Sequence, residues 1–349
     1  MSEVDAMITP ANADVCTPVR RPRSSACCIE RVPADLIARQ GVAVTADLRA
    51  AAFGDRPDTP VFGTAADRQA SPRDRWLAAV TLGGQGRYAA AAATLRDLHT
   101  GSDPLYAALA GATMASHLRQ LGGHEHARRL DAAALRRLPS GRLPSRSEPD
   151  PDGVDHAGAL VDALLGLAAD AIGLGRVTEA ARLHAAATAA AGDERVWRVT
   201  VRIDWVATEV ALAAGRFGDA VPPAERAMAA ARAAGAVRHT VKSTMMLGAA
   251  LTSGGTPDGR RRARGLLTEA LAASLRWGMF PLGWPSASLL ADLADDRPDR
   301  YTEIAANALT SVFWWSDAAM RRMGAASVWL PTALIRSGEA TRSSVELAT

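Results

Sequence analysis

The chain has 349 residues, of which 48% are hydrophobic and 22% charged, and these proportions are typical of a folded, soluble protein. Its 40 basic residues face 37 acidic ones, so the formal net charge of +3 gives little support to nucleic acid as a partner. All three cysteines (Cys16, Cys27 and Cys28) lie near the start, which excludes a disulfide framework and a cysteine-based zinc site in the remainder.

The basic residues are unusual in kind, because Lys242 is the only lysine among them. With the abundant Ala and Gly, this arginine excess indicates a GC-rich bacterial genome rather than an arginine-based binding surface. No stretch has the apolar core of a signal peptide or the length of a membrane span. We therefore expect a cytoplasmic protein that does not contact membranes.

The first 71 residues contain little helical pattern. Residues 1–31 mix Pro, Ser, Arg and Cys without a period, and we expect a disordered tail or a sequence ahead of the true translation start. Residues 32–71 predict a short helical segment, broken at Gly41, and then a linker rich in Gly, Asp and Pro. The stretch "LIARQGVAVTADL" faintly resembles a helix-turn-helix, but one match in an Ala-rich chain does not predict DNA binding.

From Ser71 onward, Ala-rich segments of helical length alternate with breaks at Gly or Pro. Ser71, followed by Pro72 and Asp74, predicts a helix start, because a hydroxyl can cap free N–H groups and a carboxylate favours the positive end of the helix dipole. Strand patterns with hairpin turns are missing. The sequence therefore predicts an all-α fold.

A three-residue signature recurs along this region. A Gly is followed by a larger residue two positions later and an Ala three positions beyond, at Gly86/Tyr88/Ala91, Gly122/His124/Ala127, Gly175/Val177/Ala180 and Gly215/Phe217/Ala220. We expect each Gly to end the first helix of a hairpin in a left-handed conformation, the larger residue to fill the turn, and the Ala to let the second helix pack closely. This regular punctuation predicts a helical repeat array.

The stretch "MMLGAALTSGG", with Leu247, Gly248, Leu251 and Gly255, resembles the first helix of the tetratricopeptide repeat family, in the degenerate form found in actinobacterial-type regulators. The resemblance covers residues 72–335. The family's first-helix Trp and Tyr are mostly absent and the units are longer than usual. The resemblance implies an α-solenoid of altered curvature.

We expect about six hairpins and a capping helix over 317–330; the hairpins span 72–100, 104–138, 157–191, 195–234, 239–276 and 284–316. Four prolines interrupt residues 139–156, which predicts a linker between a first lobe, 72–138, and a second, 157–335. Residues 336–349 are polar, and we expect a frayed tail.

Peptides bind along the first helices of successive repeats in the family that the chain resembles. Carried over by the Gly and Ala positions, this implies a partner-binding groove lined by Arg119, Arg202, Trp205, Glu209, Lys242 and Met245. The partner would be a protein or peptide segment with acidic and apolar residues. The alternative is that Trp197 and Trp205, on one helix face, belong to the core.

A second candidate contact surface is Trp314 with Trp315. These residues are neighbours on a predicted helix, so both can face one core only with difficulty. If one is exposed, it marks a contact surface, and a dimer interface is one such surface.

No motif predicts catalysis, a metal or a cofactor. His117, His124 and His126 lack the H-E-x-x-H arrangement, and we expect solvated turn residues. The glycines of "TLGGQGRY" lack the Lys and Ser/Thr of a phosphate loop and predict a helix end instead. Asp295 and Asp296 are expected to be solvated, since adjacent carboxylates do not face each other across a substrate.

The sequence thus predicts a non-catalytic protein-interaction module, a scaffold or adaptor. The alternative is a regulatory protein whose repeats sense a ligand and control nucleic-acid binding, through residues 32–52 or the basic run that begins at Arg260 in "GRRRARGLL". As the start of a repeat helix, that run is equally consistent with a solvated face. The oligomeric state stays open.

Overall fold

The computed structural model of the protein describes residues 48–139, 150–193, 195–294 and 298–333. The expectations for the tail 1–31, for most of the segment 32–52, for the centre of the Pro-rich linker and for residues 336–349 lie outside these ranges. So do the three cysteines, Asp295 and Asp296.

All regular secondary structure in the described ranges is helical, which confirms the all-α class. Residues 48–53 are helical. The helices that follow are α1 (Phe62–Ala66), α2 (Pro72–Gly84), α3 (Tyr88–Thr100), α4 (Pro104–Gln120), α5 (His124–Arg137), α6 (His156–Gly173), α7 (Val177–Ala191), α8 (Trp197–Ala213), α9 (Phe217–Ala233), α10 (Val237–Ser253), α11 (Pro257–Arg276), α12 (Phe280–Leu293), α13 (Pro298–Trp314) and α14 (Ala318–Ala325).

The helix starts follow from local chemistry. Ser71 accepts a hydrogen bond at its Oγ from the backbone N–H of Asp74 (3.1 Å), and Pro72 occupies the first turn of α2, as the sequence predicts. Asp103 caps α4, and Thr256 caps α11, in the same way and again just before a proline. These side chains satisfy N–H groups that have no partner inside the helix.

The turn at Gly215 shows why α8 ends there. Gly215 has φ of 71°, and the N–H of Arg216 donates to the carbonyl of Ala211 (2.9 Å), which closes the last turn of α8. A side chain would disfavour this left-handed conformation. The predicted left-handed conformation is confirmed here and at the matching glycines, Gly86, Gly122, Gly175 and Gly255.

The other two residues of the signature, the larger residue and the alanine, differ in how far they are buried. The small residue is fully buried at every site, at Ala91, Ala127, Ala180 and Ala220, as expected for close helix packing. Phe217, however, is 42% exposed, so the prediction that it fills its turn is wrong. Its counterpart Tyr88 is fully buried in a cluster that includes residues of α13 and α14, and it also stacks on His117.

Helices that are adjacent in sequence pack against each other, and a second set of contacts joins alternate helices. The helices α2, α4, α6, α8, α10 and α12 form a row in which each contacts the next. Residues of α4, α6, α8, α10 and α12 line a common cavity, and the side of the row that bears it is called the inner face below. Helix α5 packs directly on α6, so the residues before and after the Pro-rich segment are in contact.

The helices beside the two ends of this row, α3 and α13, contact each other. The N–H of Ala89, at the start of α3, donates to the carbonyl of Trp315, just after α13 (2.8 Å). Tyr88 and Ala92 share one buried cluster with residues of α13. The described helices 48–333 lie in one compact unit, in which Phe53 contacts the rings of Trp76 and Trp197 from inside the row.

Among the described helices, α6 is the one long and apolar enough to cross a membrane by length and composition. Most of this helix is buried against its neighbours in the protein.

Candidate ligand-binding cavity

A cavity of about 240 Å³ opens on the inner face, between α4, α6, α8, α10 and α12. All six residues that the sequence assigned to a groove line this cavity: Arg119, Arg202, Trp205, Glu209, Lys242 and Met245. The helix row brings them together from three different helix pairs.

The cavity wall is strongly cationic. Four of its lining residues are basic (Arg119, Arg202, Arg238 and Lys242), and one, Glu209, is acidic. Trp205, Met245 and Trp284 supply an apolar side to the same wall. Such a surface complements a ligand that combines negative charge with apolar groups.

Arg119 is already neutralised within the protein. Its Nη1 lies 3.0 Å from Asp131 Oδ2 and 2.5 Å from Asp170 Oδ1, and it also donates to the carbonyl of Gly166 (3.1 Å). Both carboxylates are fully buried. Arg119 therefore joins α4 to α5 and α6, and little of its charge is left for a ligand.

Burial changes the titration of the two acids at Arg119. Burial raises the pKa of Asp131 well above its ordinary value, and Asp170 raises it further, although Arg119 opposes both effects. Burial also raises the pKa of Asp170. The two carboxyl groups therefore titrate as a coupled pair beside Arg119, and the pKa of each lies above its ordinary value.

Arg202 shares its only acid with another arginine. Its Nε lies 2.7 Å from Asp162 Oδ1, while Asp162 Oδ2 accepts from Arg198 Nη1 (2.9 Å). The N–H of Arg202 is not directed along that 2.7 Å line, so the contact is an ion pair without a well-directed hydrogen bond. One carboxylate thus faces two guanidinium groups, and a positive charge remains.

Arg238 has no partner at all among the described residues. Its side chain makes no hydrogen bond or ion pair there, and its Nε is shielded from solvent without an acceptor. Burial lowers the pKa of Arg238, and the nearby Arg202 lowers it further. The sequence analysis missed this residue, although it precedes Lys242 and Met245 by four and seven positions and so shares their helix face.

Lys242 lies over the ring of Trp205, with Nζ 4.2 Å from the ring centre, and 4.0 Å from Glu209 Oε1. Burial lowers the pKa of Lys242 to about 8, because the arginines around the cavity add to burial and together outweigh Glu209. A measurable fraction of this amine is therefore neutral at physiological pH.

Trp205 belongs to the core and to the cavity wall. It is only 4% exposed, its Nε1 donates to Ser243 Oγ (2.8 Å), and its ring stacks on His239 at 5.3 Å. Trp197 is also largely packed inside, and its Nε1 donates to Asp152 Oδ1 (3.1 Å). The helix-face pattern of these two tryptophans thus reflects packing, and only an edge of Trp205 faces the cavity.

The histidine cluster is not the solvated group that the sequence suggested. His117 is buried and stacks on Tyr88 at 4.8 Å, and burial lowers its pKa to about 3. His124 is half-buried, 4.0 Å from Asp170, and only His126 is exposed. Among the described residues no group of His, Cys, Asp and Glu is arranged to hold a metal ion.

The glycines of "TLGGQGRY" make room for side chains. Gly83 and Gly84 end α2, and a Cβ at Gly83 would lie 2.0 Å from His117 Nε2. A Cβ at Gly84 would lie 2.9 Å from Arg238 Cδ and Nε. The expected helix end is present, and these glycines let two cavity residues reach the inside.

The outer surface carries the other sequence candidates. Trp314 is 75% exposed and Trp315 is 42% exposed. The guanidinium of Arg87 lies between the rings of Phe62 (4.4 Å) and Trp315 (4.6 Å). These residues form a small aromatic surface beside the hydrogen bond between Ala89 and Trp315.

The basic run on α11 lies on an exposed face. Arg261 pairs with Asp258, one turn away, and Arg262 Nη2 donates to Glu225 Oε1 (2.8 Å). These pairs account for charge that would otherwise face a phosphate backbone.

Neither the protein-family models nor the curated proteins include a match to this chain. The evidence for what the cavity binds is therefore its own geometry and charge.

Proposed function

We propose that the protein is a tetratricopeptide-like α-solenoid of six helical pairs that binds a protein or peptide segment on its inner face, without catalysis. Support for the architecture comes from the pairing of helices adjacent in sequence and from the row of alternate helices. It also comes from the left-handed glycines of the recurring signature, each of which lies between the first and the second helix of one pair.

The observation that carries the proposal is the imbalance of charge in the cavity. With Arg119 neutralised by Asp131 and Asp170, three basic residues (Arg202, Arg238 and Lys242) and one acidic residue, Glu209, remain in the wall, and an apolar part that contains Met245 and Trp284 adjoins them. A segment in which an acidic residue lies beside an apolar one complements both parts of this wall. Lys242 is well placed for such a contact, because the one acid that it pairs with in the described part of the chain, Glu209, is 4.0 Å away.

The size of the cavity limits what enters it. About 240 Å³ is less than the usual range of roughly 300–1,000 Å³ for pockets that enclose a drug-sized ligand. We therefore propose that one or two side chains of the partner occupy the cavity, while the rest of the segment lies along the helix row.

The test is a selection from a library of displayed random peptides, with the full chain as bait. The expected result is enrichment of peptides in which Asp or Glu adjoins an apolar residue. Lys242→Glu should abolish this enrichment, whereas Arg216→Glu, the same charge change at an exposed turn outside the cavity, should leave it intact. Enrichment without acidic residues, or equal enrichment by both variants, would contradict the proposal.

A further inference from the structure

Arg238 poses a physical problem for the protein as it stands. A guanidinium group that lies deep in a protein loses hydration, and this loss is normally offset by a carboxylate or by hydrogen-bond acceptors. Arg238 has neither among the described residues, and its Nε is shielded from solvent. The residue as a whole is partly exposed, so one N–H of its guanidinium, at Nε, is buried and unpaired while the two terminal nitrogens are not fully shielded.

The neighbourhood of Arg238 contains more positive charge than the protein neutralises. Arg238 and Arg202 both border the main cavity and a smaller one of about 60 Å³, as does the hydroxyl-bearing Ser116. The one carboxylate at this boundary, Asp162, already serves Arg202 and Arg198. Two guanidinium groups thus share one acid, and the third, that of Arg238, pairs with none among the described residues.

The fold keeps space for this arrangement. Gly84 of α2 has no side chain where the Cδ and Nε of Arg238 pass, and any Cβ there would lie 2.9 Å from both atoms. Gln120, which also lines the cavity, is held by a hydrogen bond from the Tyr88 hydroxyl to its Oε1 (3.0 Å). Ordered polar groups therefore surround the uncompensated charge.

We infer that the boundary between the two cavities is a preformed oxyanion site, in which Arg202 and Arg238 bind a carboxylate or phosphate group of the ligand. This inference rests on the proposed binding function of the cavity and names the chemical group that its ligand presents there. Guanidinium groups suit this task because their planar N–H donors match two oxygens of one anion.

The site makes a prediction that distinguishes a ligand-binding arginine from a structural one. Replacement of an arginine that stabilises the fold lowers the melting temperature of the protein. Replacement of an uncompensated arginine removes an unfavourable charge, so Arg238→Met should melt at the same temperature as the wild type, or higher, in the absence of an oxyanion.

The experiment uses the full chain in a chloride buffer of constant ionic strength, titrated separately with inorganic phosphate and with succinate. Because Lys242 is the only lysine, reductive methylation with ¹³C-formaldehyde labels one side-chain amine, and the α-amino group resonates separately. Oxyanion binding should shift the Lys242 signal in a saturable way and raise the melting temperature. The arm that saturates at the lower concentration identifies phosphate or carboxylate as the preferred group.

Two variants and one control complete the test. Arg238→Met should remove the saturable shift, and Gly84→Ala, which retains every charge but displaces Arg238, should weaken binding by about tenfold or more. Arg216→Met, at an exposed turn, should bind as the wild type does. No saturable response to either anion, or equal responses in Arg238→Met and Arg216→Met, would overturn the inference. If anions bind but acidic peptides are not enriched, the proposed function fails and the oxyanion site stands.

Discussion

Lys242 gives the most direct test of the electrostatics of the cavity at the scale of single residues. Its pKa of about 8 is lowered by burial and by the surrounding arginines and raised by Glu209. Arg238→Met removes a neighbouring positive charge and should raise the pKa of Lys242, whereas Glu209→Gln removes the opposing negative charge and should lower it. A pH titration of the single ¹³C-methylated lysine measures all three values. A wild-type pKa near 10.5, unmoved by either variant, would contradict the charge distribution described here.

Arg119 and its two acids test a different role, that of a buried ion pair. Arg119→Met leaves a negative charge on Asp131 and Asp170 without a counter-ion, and we expect the free energy of unfolding to fall by about 3–5 kcal/mol. Denaturant unfolding monitored by circular dichroism gives the value. A loss below about 1 kcal/mol, the range of solvent-exposed ion pairs, would contradict the assignment of Arg119 as the counter-ion of a buried, water-excluded pair of acids.

Asp131→Asn is the matched counterpart, because an amide resembles the protonated acid. The folded protein has a raised pKa at Asp131, so it retains a proton that the unfolded chain releases as the pH rises above the ordinary value of 3.8. Stability contributed by this group therefore falls as the pH rises. The variant lacks this loss, so its stability relative to the wild type should increase as the pH rises above about 4. A relative stability that decreases as the pH rises would reverse the assignment.

Helix ends can be tested with a pair of glycines. Gly215 has φ of 71° and open space where a Cβ would lie, so Gly215→Ala changes backbone strain without a clash and should cost about 1 kcal/mol. Gly265, inside α11, also has open space but lacks a positive φ. Gly265→Ala should stabilise the protein by about 0.5–1 kcal/mol, because alanine loses less backbone entropy in a helix. The same sign for both changes would refute the role given to the Gly215 turn.

At the scale of the elements, some parts of the structure could be predicted from the sequence and others could not. The start of α2 at Ser71–Pro72 and the end of α8 at Gly215 depend on a few neighbouring residues, so local patterns were enough to predict them. The six residues assigned to a groove came from the family resemblance, and they line one cavity because positions three, four and seven apart lie on the same face of each helix. Arg238 lies on the predicted face too, but its importance depends on the absence of an acid from distant helices, which no local pattern contains.

Closure of the helix row is the main feature of the whole molecule that the sequence left unpredicted. A linear repeat array couples each unit only to its neighbours. Here, residues of α13 pack on α3, more than 200 positions earlier, and Ala89 bonds to the carbonyl of Trp315. Phe217 illustrates the same limit: it is 42% exposed, whereas Tyr88, at the same position of the signature, is fully buried in a cluster that includes residues of α13.

Closure of the row predicts that a destabilising substitution in α13 also destabilises α3. Leu309 of α13 and Leu267 of α11 are both fully buried, and truncation of either to Ala should cost about 2–5 kcal/mol. Leu309 belongs to the cluster that includes Tyr88 and Ala92, whereas Leu267 lies in a cluster of α11, α12 and α13. Under conditions where both variants remain folded, Leu309→Ala should therefore accelerate amide hydrogen exchange in α3, and Leu267→Ala should not. Equal protection of the α3 amides in the two variants would show that α3 and α13 are not coupled and that the row is open in solution.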